Sequence, residues 1–214
     1  MTKTDGSSEE LEGRQIFIGI GGRTNIPALP GLEECGYITS ETFFGPKFPD
    51  KPYKSLIIIG GGPIGCEFSH VFEAAGTQVT IVQHNVRLLP KEEPEISAFM
   101  LRQFQNRHID VRLNQDEKVL TIRNRTDGTT AEVRAEEILV APGIRPMTEL
   151  LHLEHTDVRL DSRGYILTNE FLETSAEGIW ALGDVNGRAP FRHKANYEAE
   201  IIAHNLFSHM PREN

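Results

Sequence analysis

Residues Ser55 to Glu67 read Ser-Leu-Ile-Ile-Ile-Gly-Gly-Gly-Pro-Ile-Gly-Cys-Glu, and few folds admit such a stretch. Leu56 to Ile59 form a short apolar run of the kind buried on both faces of a sheet. The run ends in Gly60-x-Gly62-x-x-Gly65 and passes directly into a helical pattern, which predicts the strand, turn and helix of a dinucleotide-binding unit. Each glycine answers a different need. Gly60 makes the tight turn, Gly62 lacks the Cβ that would hold a diphosphate away, and Gly65 lets helix approach strand. Amides at the positive end of the helix dipole then face the phosphates.

A glycine-rich turn alone does not establish a ligand, so the flanks decide. Ile64, Phe68, Val71, Phe72 and Ala75 recur at helical spacing and predict one apolar face laid on a sheet. Gly76 stops that helix, and Gln78 to Val82 is a second strand. Strand, turn, helix and strand within about 30 residues make a βαβ unit with a parallel crossover. The competing account is an α/β crossover that holds no phosphate.

Before this unit, residues 1–15 are polar and look like the return half of a β-hairpin, followed by a buried strand from Ile16 to Gly21. Prolines at 27 and 30 make the next segment extended, and residues 32–52 read as a crossover between two structural units. After it, Glu92-Glu93-Pro94-Glu95 opens a helix whose apolar face is Ile96, Phe99, Met100 and Phe104. Asp110 to Leu113 is a third strand, Lys118 to Asn124 and Thr130 to Arg134 a hairpin turning at Asp127-Gly128, and Ile138 to Ala141 another buried strand. Two short strands and a tight turn at Gly183-Asp184 follow. A last helix opens at His193-Lys194-Ala195, with Tyr197, Ile201, Ile202 and Leu206 on one side. Ile18 to Arg23 and Val140 to Arg145 share a pattern of apolar, small, Gly, x, Arg, so two strands end alike, as in two nucleotide-binding units. Asp184 stands where a carboxylate accepts hydrogen bonds from ligand hydroxyls; a turn or N-cap Asp is the alternative.

Composition narrows the function. The formal charge of -9 comes with no basic stripe, which argues against a nucleic-acid partner. No run approaches the ~18 apolar residues of a membrane helix. The start, Met1-Thr-Lys-Thr-Asp, has no secretory h-region, so the expected location is cytoplasmic. Cys35 and Cys66 form no C-x-x-C arrangement and read as small, buried or half-buried thiols. His152-x-x-His155 lacks further ligands at metal-binding spacing, no nucleophile elbow is present, and no P-loop lysine follows the glycines.

Five ordered motifs carry a resemblance: Gly60 to Glu67, Leu88-Leu89-Pro90, Gly143-x-x-Pro146, Thr174-Ser175 through Gly183-Asp184, and Phe191-x-His193-Lys194-Ala195. Together they resemble the FAD-dependent pyridine nucleotide-disulfide oxidoreductases, in the branch with dihydrolipoamide dehydrogenase and mercuric reductase, from about Asp5 to Phe207. The resemblance implies an α/β, Rossmann-like FAD/NAD(P)-binding fold. Its parts would be a parallel sheet with helices on one side, an antiparallel three-stranded meander, and a partial second nucleotide-binding unit. It implies that residues 1–50 close a first FAD-domain segment and cross over, that 51–143 bind NAD(P), and that 144–214 are a second FAD-domain segment. Gly60, Gly62, Pro63, Ile64 and Gly65 would hold the diphosphate of NAD or NADP. Glu67 matches the acid beside the nicotinamide and flavin edge, and Gly143 the approach to the nicotinamide half. Gly21, Gly183, Asp184 and Ala195 match positions that touch FAD, Asp184 through the ribityl chain. Such enzymes pass hydride from NAD(P)H to FAD and electrons on to a disulfide or metal ion.

Departures from the pattern matter as much. Gln83, followed by His84, stands where NAD-selective members carry an acid. A neutral amide neither repels a 2′-phosphate nor clamps it, so the choice between NAD and NADP stays open, with Arg87 nearby. Ile20 and Pro142 replace the usual Thr. A first GxGxxG, a redox Cys pair, the lysine that pairs with the Glu67 position, and a dimerisation domain with its catalytic His and Glu have no counterpart. The expectation is therefore the central piece of such an enzyme, binding nicotinamide dinucleotide without full turnover and relying on missing parts or a partner chain for FAD. Its exposed apolar surface would favour self-association. The alternatives are a non-catalytic dinucleotide-sensing module and a complementing half of a split flavoenzyme.

Overall fold

The computed structural model describes residues 5–7, 9–113, 115–118, 121–124, 128–208 and 211, which form two compact units: residues 24–144, and residues 1–23 with 145–214. The second of these begins with strand β1 (Ile16–Ile18), and among the described residues no strand precedes it, so the expected hairpin return is absent there. β2 (Gly22–Thr24) lies where the chain leaves that unit. Residues 32–52 then carry two single-turn helices, α1 (Leu32–Cys35) and α2 (Ser40–Phe43).

The 24–144 unit is built on a four-stranded parallel sheet of β3 (Ser55–Ile59), β4 (Gln78–Gln83), β5 (Asp110–Leu113) and β9 (Glu137–Val140), ordered β5-β4-β3-β9. β3 is interior, with Ile58 opposite both Ile81 and Leu139, and all three side chains are fully buried. Successive residues of a strand point to opposite faces, so both faces of this sheet need a cover. On one, Leu56, Ile58, Val79, Ile81 and Leu139 pack against α3 (Pro63–Ala74) and α4 (Pro94–Asn106). On the other, Ile57, Ile59, Val82 and Val140 meet Leu32, Val133 and the partly buried Ile26, Leu29 and Tyr37. Fully burying one such aliphatic side chain contributes about 2 kcal/mol, so this core carries much of the unit's stability.

Both helices begin as proline at their first position dictates, and α3 ends at Gly76, whose φ of +88° suits glycine. Phe68, Phe72 and Phe104 are buried as expected, but the rest of each buried face differs. Val71 and Ala75 of α3 are exposed, and Cys66 and Ser69 are buried in their place. Ile96 and Phe99 of α4 are exposed, and the helix buries Ser97 and Phe104. The serines can be buried because their hydroxyls are satisfied close by: Ser69 Oγ donates back one turn to the Gly65 carbonyl of the same helix at 2.6 Å, and Ser97 Oγ to the carbonyl of Leu88, in the loop before α4, at 2.6 Å.

The antiparallel meander is present with different boundaries. β6 (Gln115–Lys118) pairs with β7 (Thr121–Asn124), and β7 with β8 (Thr130–Glu132). The chain thus reverses after Lys118, inside the segment expected to be one strand, while the Asp127 half of the expected turn lies outside the described residues. At β10 (Ile144–Pro146) the chain passes back into the unit of residues 1–23 and 145–214.

In that unit β1 pairs in parallel with β11 (Ile179–Ala181), Ile18 opposite Ala181. Asp161 to Ile166, expected to be a strand, forms a turn, with a single bridge between Leu160 and Ile166. One cluster gathers Ile18, Leu153, Val158, Ile166, Ala181 and Val185, and a second sets Leu172 and Trp180 against Ile201 and Ile202 of α5 (Arg192–Phe207). Tyr197 is exposed, and Glu198 takes the buried position beside Ile201 and Ile202. Among the described residues no helix is long and apolar enough to cross a membrane.

Candidate functional site

The glycine turn at the end of β3 is fixed from several sides. Gly60 has a φ of +112°, and a Cβ there would lie 2.3 Å from the Ala141 carbonyl oxygen of the neighbouring strand end. A Cβ on Gly65 would lie 1.9 Å from the Gly60 carbonyl oxygen, so only glycine lets α3 start this close to β3. Gly61 is held by both polar groups: its N–H donates to Gln83 Oε1 at 3.2 Å, and its carbonyl accepts from the Leu89 N–H at 2.8 Å. The Cys66 thiol also reaches that carbonyl, at 3.7 Å.

Gly62 is different. Its φ of -80° and ψ of -173° are open to any residue, and a Cβ there would meet nothing within 4 Å. It is the N-cap of α3, no side chain caps the helix, and the first helical bond runs from the Cys66 N–H to the Gly62 carbonyl at 3.0 Å. Pro63 has no N–H, so the amides of Ile64 and Gly65 stand at the uncapped start of a twelve-residue helix, beside open space. Backbone donors, dipole and clearance together fit a diphosphate.

The other candidates of this unit take distinct places. Glu67 is exposed on α3, just past its first turn. Burial, and then the Glu67 charge, push the neighbouring Cys66 thiol up to about 12, so it stays protonated and unreactive. Cys35, expected to be at least half-buried, is exposed. Gln83 is buried and turned inward against the glycine turn, whereas His84 is exposed. Gly143 follows β9 with a φ of +151° and open space at its Cβ position. Because β9 pairs in register with β3, Gly143 and the glycine turn lie beyond the same carboxyl edge of the sheet.

The terminal unit brings together its own set. β1 and β11 are parallel, so Gly21 and Gly183 follow the same ends of two paired strands, with φ of +72° and +74°. A Cβ on Gly183 would sit 3.4 Å from Ala195 Cβ on α5. Asp184 belongs to the turn Gly183–Asn186, and its backbone carbonyl accepts the Gly187 N–H at 3.1 Å. Its carboxylate is half-buried. Desolvation first, and the charge of Glu198 second, hold it above the usual carboxylate range. A raised carboxylate adds stability only while protonated, and that share is lost as pH rises through the folded value. Asp184→Asn is therefore expected to melt about 1 °C higher than the parent at pH 7, the gap closing near pH 3; a lower melting point at pH 7 contradicts this.

Sequence reading missed Glu198. It is 1% exposed, and its Oε2 accepts from the Gly183 N–H at 2.7 Å and from Asn186 Nδ2 at 3.0 Å. Lys194 Nζ lies 3.6 Å from the other oxygen, one helical turn away. Glu198 thus ties the turn bearing Asp184 to α5. The signal was present: Glu198 lies three and four residues before Ile201 and Ile202, on the core-facing stripe, where an acid needs a buried donor. Glu198→Ala strands the Gly183 amide, and a loss of about 2 kcal/mol is expected, read as a melting point lower by about 4–8 °C. An unchanged melting point would show that the turn holds itself.

The family model for pyridine nucleotide-disulphide oxidoreductase matches residues 1–199. The chain is 32% identical over 206 residues to the mercuric reductase of Staphylococcus aureus, covering 93% of this chain and 37% of that protein. It is 34% identical over 223 residues to the dihydrolipoyl dehydrogenase of Chlorobaculum parvum, covering 99% of this chain and 46% of that protein. It therefore spans less than half the length of either relative. Among solved structures, the HOCl-induced flavoprotein disulfide reductase RclA from Escherichia coli superimposes with a TM-score of 0.80 at 27% identity, over 95% of this chain and 47% of that one. The parallel sheet, the glycine turn and these matches agree, and the chain belongs to the pyridine nucleotide-disulphide oxidoreductase family.

Proposed function

We propose that the 24–144 unit binds a nicotinamide dinucleotide, with its diphosphate over Gly60 to Gly65. On this reading the chain is the NAD(P)H-binding part of a flavin-dependent oxidoreductase. The observation that carries it is the clearance at Gly62 beside the uncapped start of α3. Gly143 lets the nicotinamide half approach the sheet edge, and Glu67, exposed on α3 just past its first turn, faces solvent where that half would lie.

The terminal unit fits one side of FAD. Gly21 and Gly183 give close approach at two parallel strand ends, Ala195 is small, and among the described residues no donor engages the half-buried Asp184 carboxylate, leaving it to accept from hydroxyls. When both groups are bound, nicotinamide supplies a hydride that flavin accepts and relays to a disulfide or metal ion. Neither thiol of this chain suits that relay, since Cys66 is buried and protonated and Cys35 stands alone on the surface. Electrons would leave through cysteines supplied from outside these residues, by further chain or by a partner. The chain's own contribution is then binding, whether as part of an enzyme or as a sensor of the nicotinamide pool.

Calorimetric titration with NADH and NADPH tests the reading. Saturable binding of at least one, at one site per chain, is expected; no binding of either up to millimolar concentration would overturn it.

A further inference from the structure

In dinucleotide-binding folds the residue ending the second strand reads the ribose 2′ substituent, an acid accepting from the hydroxyl or an arginine nearby holding a phosphate. Here that residue is Gln83, only 5% exposed, and both ends of its amide are engaged. Its Oε1 accepts the Gly61 N–H at 3.2 Å, and its Nε2 donates to the Arg87 carbonyl at 3.3 Å. The orientation is fixed by its partners, because a backbone N–H can only donate and a carbonyl can only accept. Gly61 also packs on it: a Cβ at 61 would sit 3.3 Å from both Cβ and Cδ of Gln83.

The loop that follows completes the clamp. Leu89, at a φ of +45°, donates its N–H to the Gly61 carbonyl at 2.8 Å, and Leu88 is 1% exposed against the same glycine. Arg87 spends Nη2 on the Pro90 carbonyl at 2.9 Å. No acid stands at this position to repel a 2′-phosphate, and Arg87, four residues on, has Nη2 engaged within its own loop.

We propose that Gln83 is a positioning residue that braces the phosphate-binding turn and does not read the ribose, so that the site takes NADH and NADPH alike. The inference rests on the dinucleotide reading above. Removing the Gln83 amide releases the Gly61 peptide, which weakens both nucleotides together, because the turn serves the diphosphate they share.

Calorimetry at pH 8 in 0.15 M salt, on the parent chain and on Gln83→Ala, tests it. Parent affinities for NADH and NADPH are expected to agree within about threefold. Gln83→Ala should lose about tenfold for each, with their ratio still within about threefold. Gln83→Met, which fills similar volume without donor or acceptor, should repeat the loss and covers the case that the alanine variant does not fold. A parent preference above tenfold for one nucleotide, or a variant that shifts their ratio more than tenfold, would overturn the proposal while leaving dinucleotide binding intact. Binding of neither nucleotide by the parent would remove the underlying reading and this inference with it.

Discussion

Gly62→Asp is expected to lose saturable binding of NADH and NADPH by at least about 100-fold, or about 2.8 kcal/mol, with the fold unharmed. Its backbone is in a region open to any residue, and a Cβ there points into space with no atom within 4 Å. Asp is moreover a favoured N-cap, so its carboxylate can accept the very amides at the start of α3 that a diphosphate needs. The substituted side chain fills the anion site and repels the anion that remains. The melting point should stay level or rise slightly, which separates loss of binding from loss of structure. A variant that still binds with parent affinity would place the nucleotide elsewhere; one that unfolds would mean the space at Gly62 is structural.

Gly65→Ala, three residues on, is expected to act in the opposite way. A Cβ there would come within 1.9 Å of the Gly60 carbonyl oxygen, a backbone atom that cannot swing aside. Helix α3 must lift from β3, opening contacts of Cys66, Phe68 and Phe72 with the core. Overpacking against backbone costs about 3 kcal/mol, which for a chain of this size is roughly 6–12 °C in melting point. Nucleotide binding should weaken as well, because the same shift carries Gly60 to Gly62 with it. A melting point within about 1 °C of the parent would show that the strand and helix tolerate separation, and that the spacing of the glycines is not set by their packing.

The parallel sheet was legible because Leu56–Ile59 and Ile138–Ala141 are apolar runs ending at or near a glycine, and the β-branched Gln78–Val82 follows the glycine that stops α3. Helix positions were legible, and their buried stripes in part: Phe68, Phe72, Phe104, Ile201 and Ile202 are buried as expected. Val71, Phe99 and Tyr197 sit beside the true stripe at spacing equally helical, while Ser69, Ser97 and Glu198 hold it through hydrogen bonds that hydrophobicity does not register. β6 was invisible as a separate strand because Gln-Asp-Glu-Lys has no apolar alternation.

At the candidate site, the tight turn at Gly60 and the close helix start at Gly65 could be read in advance because the spacing of the motif itself sets them, whereas Gly62 is under no backbone demand and is legible only through the ligand it would admit. The part of Leu88-Leu89-Pro90 could not be read in advance. It depends on a bond from Leu89 to Gly61, across a helix and a strand, and nothing local to either residue announces it. The inward turn of Gln83 has the same origin, since a glutamine at a strand end reads equally well facing a ligand or its own fold.

The central claim is that the amides opening α3 meet a diphosphate. It is tested most directly by following backbone amide resonances of the nitrogen-labelled protein during titration with NADH. Shifts that saturate with one site per chain and are largest at Gly62, Ile64 and Gly65 are the predicted result. Saturation that leaves those three amides unmoved while others shift would contradict it.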